Sequence, residues 1–144
     1  MPSPSKSVVS LDVGAARIGV AVANLASRMP QPLKAVLHDD QVMKTLGILC
    51  KEQGALAVVV GLPRGLDGQH TAQTVAVELF ASELEKYLDI PVYWQDEAVT
   101  SAQAEAELIA RKKPYAKGDI DMLAATYILE DFMNNPASRR LEES

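Results

Sequence analysis

The apolar run at residues 56–60, which ends at Gly61, constrains the fold more than any other feature of the sequence. Strands that are apolar at every position are typical of parallel sheets, because helices cover both of their faces. The run therefore predicts a central strand of an α/β domain. At 144 residues the chain has the length of one such domain.

The rest of the pattern predicts the element order β-β-β-α-β-α-β-α-α. Apolar runs at residues 8–11 and 18–23, joined by a short loop with Gly14, predict a hairpin. We expect Pro30 and Pro32 to interrupt the chain before an edge strand at 33–37. The fifth strand is predicted at 90–94 and the helices at 40–53, 70–88, 100–111 and 119–133. The second helix is expected to bury Ala76, Leu79, Phe80, Leu84, Tyr87 and Leu88.

The ends of the chain are predicted to be flexible tails, at residues 1–7 and 134–144, around a single domain at 8–133. No apolar run approaches the ~18 residues of a membrane span, and the first residues lack the apolar core of a signal peptide. These features argue against a membrane protein or a secreted protein. The single cysteine, Cys50, excludes an internal disulfide and a metal site built from cysteines.

Charge is distributed unevenly along the chain. The net charge of −5 counts against a simple nucleic-acid-binding surface. Residues 1–72 carry a net +2 and residues 73–144 a net −7, yet four basic residues of the acidic half lie close together: Arg111, Lys112, Lys113 and Lys117. This arrangement fits a metal site beside a phosphate-binding cluster. It also fits a solvated helix end followed by a charged loop, and charge alone favours that second interpretation.

Three acidic residues are expected to meet at one edge of the sheet. Asp12 ends the first strand, Glu97 follows the fifth, and Asp121 lies in the first turn of the last helix, on its sheet-facing side. The carboxyl ends of parallel strands are where open α/β sheets bind ligands. Converging carboxylates repel one another unless a cation lies between them, and Mg²⁺ or Mn²⁺ prefers such oxygen ligands. Each acid also has an ordinary explanation, as a turn residue, a solvated loop acid and a charge at a helix N-terminus, respectively.

Four motifs follow one another along nearly the whole chain: VVSLDVGAARIGVA at 8–21, VVVGLP at 58–63 with Asp67-Gly68, DEAVTS at 96–101, and KGDIDMLAA at 117–125. Together they resemble the motifs D-x-G-x-x-R-I-G-V-A, V-V-G-L-P…D-G, D-E-R-L-T-T/S and K-G-x-x-D-x-x-A-A of the YqgF/RuvX family. These bacterial proteins are similar to Holliday junction resolvases and are also described as pre-16S rRNA nucleases.

The resemblance implies a ribonuclease H-like fold, in which a five-stranded mixed sheet starts with antiparallel strands, continues with parallel ones and carries helices on both faces. It implies a cytoplasmic, metal-dependent nuclease that processes the 5′ end of pre-16S rRNA in ribosome biogenesis. Asp12, Glu97 and Asp121 would be the catalytic residues and would bind two Mg²⁺ or Mn²⁺ ions. The nucleic-acid partner would be precursor ribosomal RNA or branched DNA.

Basic residues near the motifs are the candidates for substrate binding: Arg17, Arg64, Arg111, Lys112, Lys113 and Lys117. The chain departs from the family pattern at Ala15 and Ala16, where a hydroxyl and often a basic residue are usual, and at Ala98, which replaces the arginine of D-E-R. We assign no function to the two histidines, which are expected to be surface or capping residues.

Other functions stay open at this point. One is a DNA nuclease of the Holliday-junction type. Another is a catalytically silent nucleic-acid-binding or regulatory protein, which Ala98 and the acidic balance favour. A third is a nucleotide-binding module of the actin-like ATPase type, because Asp12-x-Gly14 also resembles a phosphate loop. Metal titration and ATP binding separate these possibilities, and both a monomer and a homodimer remain open.

Overall fold

The computed structural model describes residues 6–63, 70–97 and 100–136. Within these ranges the elements follow the predicted order. The strands are β1 (Ser7–Val13), β2 (Arg17–Asn24), β3 (Pro30–Leu37), β4 (Ala55–Pro63) and β5 (Val92–Glu97), and the helices are α1 (Val42–Glu52), α2 (Ala72–Tyr87), α3 (Thr100–Ala110) and α4 (Lys117–Met133).

The five strands form one mixed sheet in the order β3-β2-β1-β4-β5. β1, β2 and β3 pair antiparallel, whereas β1, β4 and β5 run parallel. The predicted hairpin start and later parallel strands are therefore confirmed. Because β1, β4 and β5 point the same way, their carboxyl ends share one edge, with Asp12 near the end of β1 and Glu97 at the end of β5.

The sheet separates two apolar cores. α1 and α2 cover one face, where Val58 and Val60 of β4 are buried with Leu46 and Phe80. α4 covers the other face, and α3 packs against α4. The alternate residues of β4, such as Val59, point into that second core. The apolar run at 56–60 is thus buried on both faces from residue 57 onward, as its composition predicts.

Pro30 and Pro32 do not interrupt the chain, contrary to expectation. Both lie inside β3, paired with Ala23 and Ala21 of β2. β3 is the edge strand of the sheet, where a residue without an N–H group is tolerated because one side of the strand has no partner strand. The existence and the end of this edge strand were predicted correctly. Its predicted start, after the prolines, was wrong.

The buried face of α2 also differs from the prediction. Leu79 and Tyr87 are 64% and 54% exposed, and the buried residues are Thr74, Val77, Phe80, Ala81 and Leu84. Thr71 caps the helix, and the Thr74 hydroxyl donates to the carbonyl of Pro63 at the end of β4. These bonds fix the rotation of a helix that carries apolar residues on more than one side.

The described elements begin at Ser7 of β1 and end at Met133 of α4. β1 begins at Ser7, inside the segment expected to be a tail, and the Ser7 hydroxyl donates to the carbonyl of Gln53 over 2.7 Å. α4 ends at Met133, and the predicted tail beyond residue 136 lies outside the described residues. In the described parts of the chain, every helix is too short or too polar to cross a bilayer.

Candidate active site

Asp12 lies at the centre of the site because β1 is the middle strand of the sheet. It is the next-to-last residue of β1 and faces Gly19 of β2 in the ladder. Burial, and to a lesser extent the nearby charge of Asp121, raises the pKa of its carboxyl to about 6. A carboxylate held out of water beside a second carboxylate is a group that favours a bound cation.

α4 reaches Asp12 because two glycines let the helix lie close to the sheet. A Cβ atom at Gly19 would collide with the backbone carbonyl of Asp121, and one at Gly61 would collide with Ile128. Between them, the Ser10 hydroxyl donates to the carbonyl of Ala125 over 2.6 Å. The helix therefore crosses the sheet from β2, over β1, to β4 and β5.

Asp121 lies on the sheet-facing side of α4, as its helical phase predicts, and it forms an ion pair. Nε of Arg17 donates to Oδ2 of Asp121 over 2.8 Å, and the two side chains are 33% and 18% exposed. Arg17 is the first residue of β2, so the turn after β1 and the first turns of α4 are joined here. Arg17 was predicted to bind substrate, and in this structure it holds an acid of the site.

Glu97 is the most perturbed acid of the site. Its pKa is raised to about 9, first by burial and then by a hydrogen bond and charge repulsion from Asp131, with smaller effects from Asp12 and Asp96. Its Oε1 atom is buried and has no hydrogen-bond partner among the described residues. A buried acceptor of this kind is costly unless a cation or a proton satisfies it.

Asp131 is a neighbour of Glu97 that the sequence did not reveal. It lies ten residues after Asp121, or about 15 Å along a helix, and on a different side of it. It approaches Glu97 because α4 runs across the sheet toward β5, where Phe132 contacts Tyr93 with ring centroids 5.6 Å apart. Only the crossing direction of the helix could have indicated this contact.

The other two predicted acids, Asp121 and Glu97, flank Asp12, but the three carboxyl groups do not close on one point. The charge of Asp121 raises the pKa of Asp12, and the charge of Asp12 raises the pKa of Glu97, but Asp121 is bonded to Arg17 and Glu97 to Asp131. Accordingly, no three His, Cys, Asp or Glu side chains of the described residues are arranged to hold a metal ion together. The donor set still fits a divalent cation, because the carboxyl of Asp12 is largely buried and Glu97 Oε1 is buried and unsatisfied.

Asp119 has a different environment from Asp121, as predicted. Its Oδ2 accepts a hydrogen bond of 2.9 Å from the backbone N–H of Ala116, just before α4 begins. Asp119 thus satisfies a backbone donor at the helix start, which is a structural contribution.

The predicted basic cluster lies on the surface that leads into α4. Arg111, Lys112, Lys113 and Lys117 are all exposed. Arg111 forms an ion pair with Glu107 one turn earlier, over 2.9 Å, and Lys112 turns the chain with a φ of 57°. Arg64 and Ala98 lie outside the described residues, so the predictions for those two positions stay as they are.

His38 has contacts that were not predicted from the sequence. Its Nδ1 atom lies 2.7 Å from the carbonyl oxygen of Gly14, and its backbone N–H donates to the carbonyl of Ala16 over 3.0 Å. His70, by contrast, is an exposed residue whose Nδ1 lies 3.5 Å from Glu78. The sequence offers no signal for this difference, because the pairing of β3 with β2 creates it.

Known structures share the fold. RuvC of Thermus thermophilus, solved in complex with a Holliday junction substrate, superposes with a TM-score of 0.56 over 90% of this chain and 97% of that chain, at 19% identity. The fowlpox virus resolvase, solved with Holliday junction DNA, gives a TM-score of 0.51 over 88% of this chain and 96% of its own, at 12% identity. The ribonuclease H-like fold implied by the sequence motifs is thereby confirmed.

Sequence comparison identifies the family. Proteins named "Putative pre-16S rRNA nuclease" are 35% identical in Chloroflexus aggregans, over 90% of this chain and 94% of that protein, and 34% identical in Roseiflexus, over 94% and 99%. The family model RuvX, described as Holliday junction resolvase, matches residues 6–135. Since that match includes all the described strands and helices, the chain belongs to the RuvX family.

Proposed function

We propose that this chain is a metal-dependent nuclease that hydrolyses phosphodiester bonds and processes the 5′ end of pre-16S rRNA in the cytoplasm. The observation that carries the proposal is the carboxyl of Asp12, buried at the end of the central strand between Asp121 and Glu97. Membership of the RuvX family supports the nuclease activity. The name of the relatives supports the choice of ribosomal RNA as substrate.

The three acids would hold the metal ions. Asp12, which lies between the other two, would be shared by two ions, and Asp121 and Glu97 would each complete the site of one. Divalent cations such as Mg²⁺ or Mn²⁺ supply an activated water and stabilise the charge on the leaving oxygen. The chain contributes buried carboxylates that lose their mutual repulsion when cations bind, which ties catalysis to metal binding.

The basic residues would hold the phosphate backbone. Arg17 emerges beside Asp121 and would be the cation nearest to the reacting phosphate. The exposed residues Arg111, Lys112, Lys113 and Lys117 would bind phosphates before α4. Arg64, which lies outside the described residues, would be a further phosphate-binding residue. Contacts of this kind do not depend on the nucleotide sequence, because the phosphate groups are the same at every nucleotide.

A comparison of three substrates tests the proposal. The protein is incubated with a precursor carrying the 5′ end of the small-subunit rRNA, a generic single strand and a four-way DNA junction, each with Mg²⁺, with Mn²⁺ and with a chelator. Cleavage of the precursor that needs the metal is expected. Preferred cleavage of the junction would establish a DNA resolvase instead, and an absence of cleavage on all three substrates would contradict a nuclease.

Asp12→Asn is the matched control for contaminating nucleases. The change removes the shared carboxylate and keeps the shape of the side chain, so cleavage should fall by several orders of magnitude while the domain stays folded. Activity within about threefold of the wild type would contradict the assigned site. A thermal melt of the same preparation shows whether the variant is folded.

A further inference from the structure

The turn between β1 and β2 connects two residues of the site but has little to hold it in place. Asp12 lies two residues before Gly14, and Arg17 follows Ala16 directly. The Gly14 N–H donates to the carbonyl of Arg17 over 3.0 Å, and a Cβ atom at Gly14 would lie 2.7 Å from that oxygen. Ala15 and Ala16 are exposed and carry no polar side chain, so the turn cannot anchor itself through side chains.

His38 supplies an anchor from the end of β3. Its backbone N–H donates to the Ala16 carbonyl over 3.0 Å, and its Nδ1 lies 2.7 Å from the Gly14 carbonyl. Because a carbonyl oxygen only accepts hydrogen bonds, Nδ1 carries the hydrogen. Two carbonyl groups of the turn are therefore held by one residue.

The His38 ring is itself fixed by the core between the sheet and α2. It packs edge-on against Phe80, with ring centroids 5.2 Å apart and planes at 71°. Phe80 is 7% exposed and belongs to the core formed with α1 and α2. The ring thus joins the buried core on one face of the sheet to the turn from which Arg17 emerges.

We propose that His38 is a positioning residue for the acidic site. It fixes the turn, the turn places Arg17, and Arg17 holds Asp121 beside Asp12. His38 acts through the backbone and touches no acid of the site, so its effect is on placement. The inference rests on the proposed function, in which small displacements of catalytic groups are costly: a shift of about 1 Å lowers rates by up to ~10²-fold.

Two substitutions of similar polarity separate placement from general stability. His38→Asn keeps an N–H donor close to the Nδ1 position, whereas His38→Gln moves the donor outward to the position of Nε2. His70→Gln is the control, because His70 is exposed and far along the chain from the turn. For each protein, kcat and KM are measured on the precursor RNA, and the Mg²⁺-induced rise in Tm is measured without substrate.

We expect His38→Gln to lower kcat by about 10-fold or more, as the loss of supporting hydrogen bonds around a metal site does, with KM changed less than about twofold. Its Mg²⁺-induced rise in Tm should shrink. His38→Asn should recover most of both, and His70→Gln should match the wild type. Equal behaviour of His38→Asn and His38→Gln in kcat and in the Mg²⁺ response would overturn the proposal, as would a fall in Tm alone.

The two readouts also separate this proposal from the proposed function. If the wild type cleaves none of the substrates, the nuclease assignment fails. The Mg²⁺-induced rise in Tm still compares His38→Asn with His38→Gln in that case. A difference there supports the positioning of the acids by His38, and no difference overturns it.

Discussion

Nε of Arg17 lies 2.8 Å from Oδ2 of Asp121, and this ion pair joins the turn after β1 to the first turns of α4. It places a guanidinium next to one of two neighbouring carboxyl groups, since Asp121 also acts on Asp12. In the absence of metal, the arginine partly offsets the repulsion that would otherwise push α4 away from the end of β1. Arg17 therefore both stabilises the site and occupies Asp121, one of the proposed metal ligands.

Replacing Arg17 by Gln should destabilise the metal-free protein by about 0.5–1 kcal/mol, a modest value because the pair is partly exposed. Mg²⁺ should then raise Tm less in the variant than in the wild type, because Asp121 is no longer held beside Asp12 where a cation could bind both. Arg17→Lys, which keeps the charge, is the control. Thermal melts with a chelator and with Mg²⁺ check this, and identical responses of all three proteins would contradict it.

The stability of the metal-free protein should fall as the pH rises. Burial is the main reason that the pKa values of Asp12 and Glu97 are raised, to about 6 and about 9. At these two carboxyl groups the folded protein thus binds protons more tightly than the unfolded chain. The stabilisation that this provides is lost as the pH rises from the ordinary pKa of each group to its raised pKa. For Asp12 the window runs from 3.8 to about 6, and for Glu97 from 4.5 to about 9.

Urea melts from pH 4.5 to 9 in a chelator measure this loss. In a plot of the free energy of unfolding against pH, Asp12→Asn should reduce the slope below about pH 6. Glu97→Gln should reduce the slope up to about pH 9. Mg²⁺ should oppose the loss, because it binds the ionised carboxylates. The contrary result is a free energy of unfolding that increases from pH 4.5 to 9 in the wild type when compared with both variants. That result would show that these acids are not buried as described.

Much of this architecture follows from local sequence signals. The apolar run at 56–60 determines a central strand, Gly14 marks the hairpin, and the phase of Asp121 places it toward the sheet. The face of α2 could not be predicted, because Leu79 and Tyr87 continue an apolar pattern that contacts at Thr71 and Thr74 override.

The detail of the site required the structure for a different reason. The contacts of the site residues depend on where helices and strands cross one another in the fold. Asp131 reaches Glu97 only because α4 runs diagonally over the sheet, and His38 reaches Gly14 only because β3 pairs with β2. Such contacts join residues far apart in the sequence, so no local pattern signals them. The partners of Asp12, Arg17 and Glu97 are contacts of this kind, which only the three-dimensional structure shows.

Asp119 and Asp121 should respond in opposite ways to substitution. Asp119→Ala removes the acceptor for the Ala116 N–H and should cost about 1 kcal/mol of stability while leaving cleavage largely intact. Asp121→Asn should abolish cleavage, with a small effect on stability because the lost ion pair and the relieved repulsion oppose each other. Thermal melts without metal and cleavage rates at saturating Mg²⁺ measure both. Loss of cleavage in Asp119→Ala alone would show that the metal site is assigned to the wrong acid.

Substrate binding should depend strongly on salt despite the net charge of −5. Substitution of the whole basic cluster (Arg111, Lys112, Lys113 and Lys117) by alanine should weaken binding to all sequences alike. It should also reduce the slope of log K against log salt, since fewer counterions are released. Binding is measured with Asp12→Asn as the background, so that substrate is not cleaved. An unchanged slope would mean that the substrate follows another surface.

Gly19→Ala should damage the site through the backbone. The added Cβ would collide with the carbonyl of Asp121, so α4 must move away from β2 at a cost of about 1–3 kcal/mol. Cleavage should fall with it, because Asp121 moves with the helix. Gly47→Ala in α1 is the control, since its Cβ would meet side chains and no backbone: the exposed ring of Tyr87 at 3.2 Å and Leu88 at 3.9 Å. Equal melting temperatures for the two variants would contradict the close approach of α4 to Gly19.

The two prolines of β3 have a consequence for how molecules of this protein can associate. An outer strand with free N–H groups can recruit a strand from another molecule, which leads to aggregation. Pro30 and Pro32 remove two donors from the outer strand next to β2. The opposite outer strand, β5, carries Asp96 next to its last residue, and the charge of this acid disfavours an added strand that brings the same acid alongside. Each margin of the sheet is thus protected against growth by a different means, one by missing donors and the other by charge.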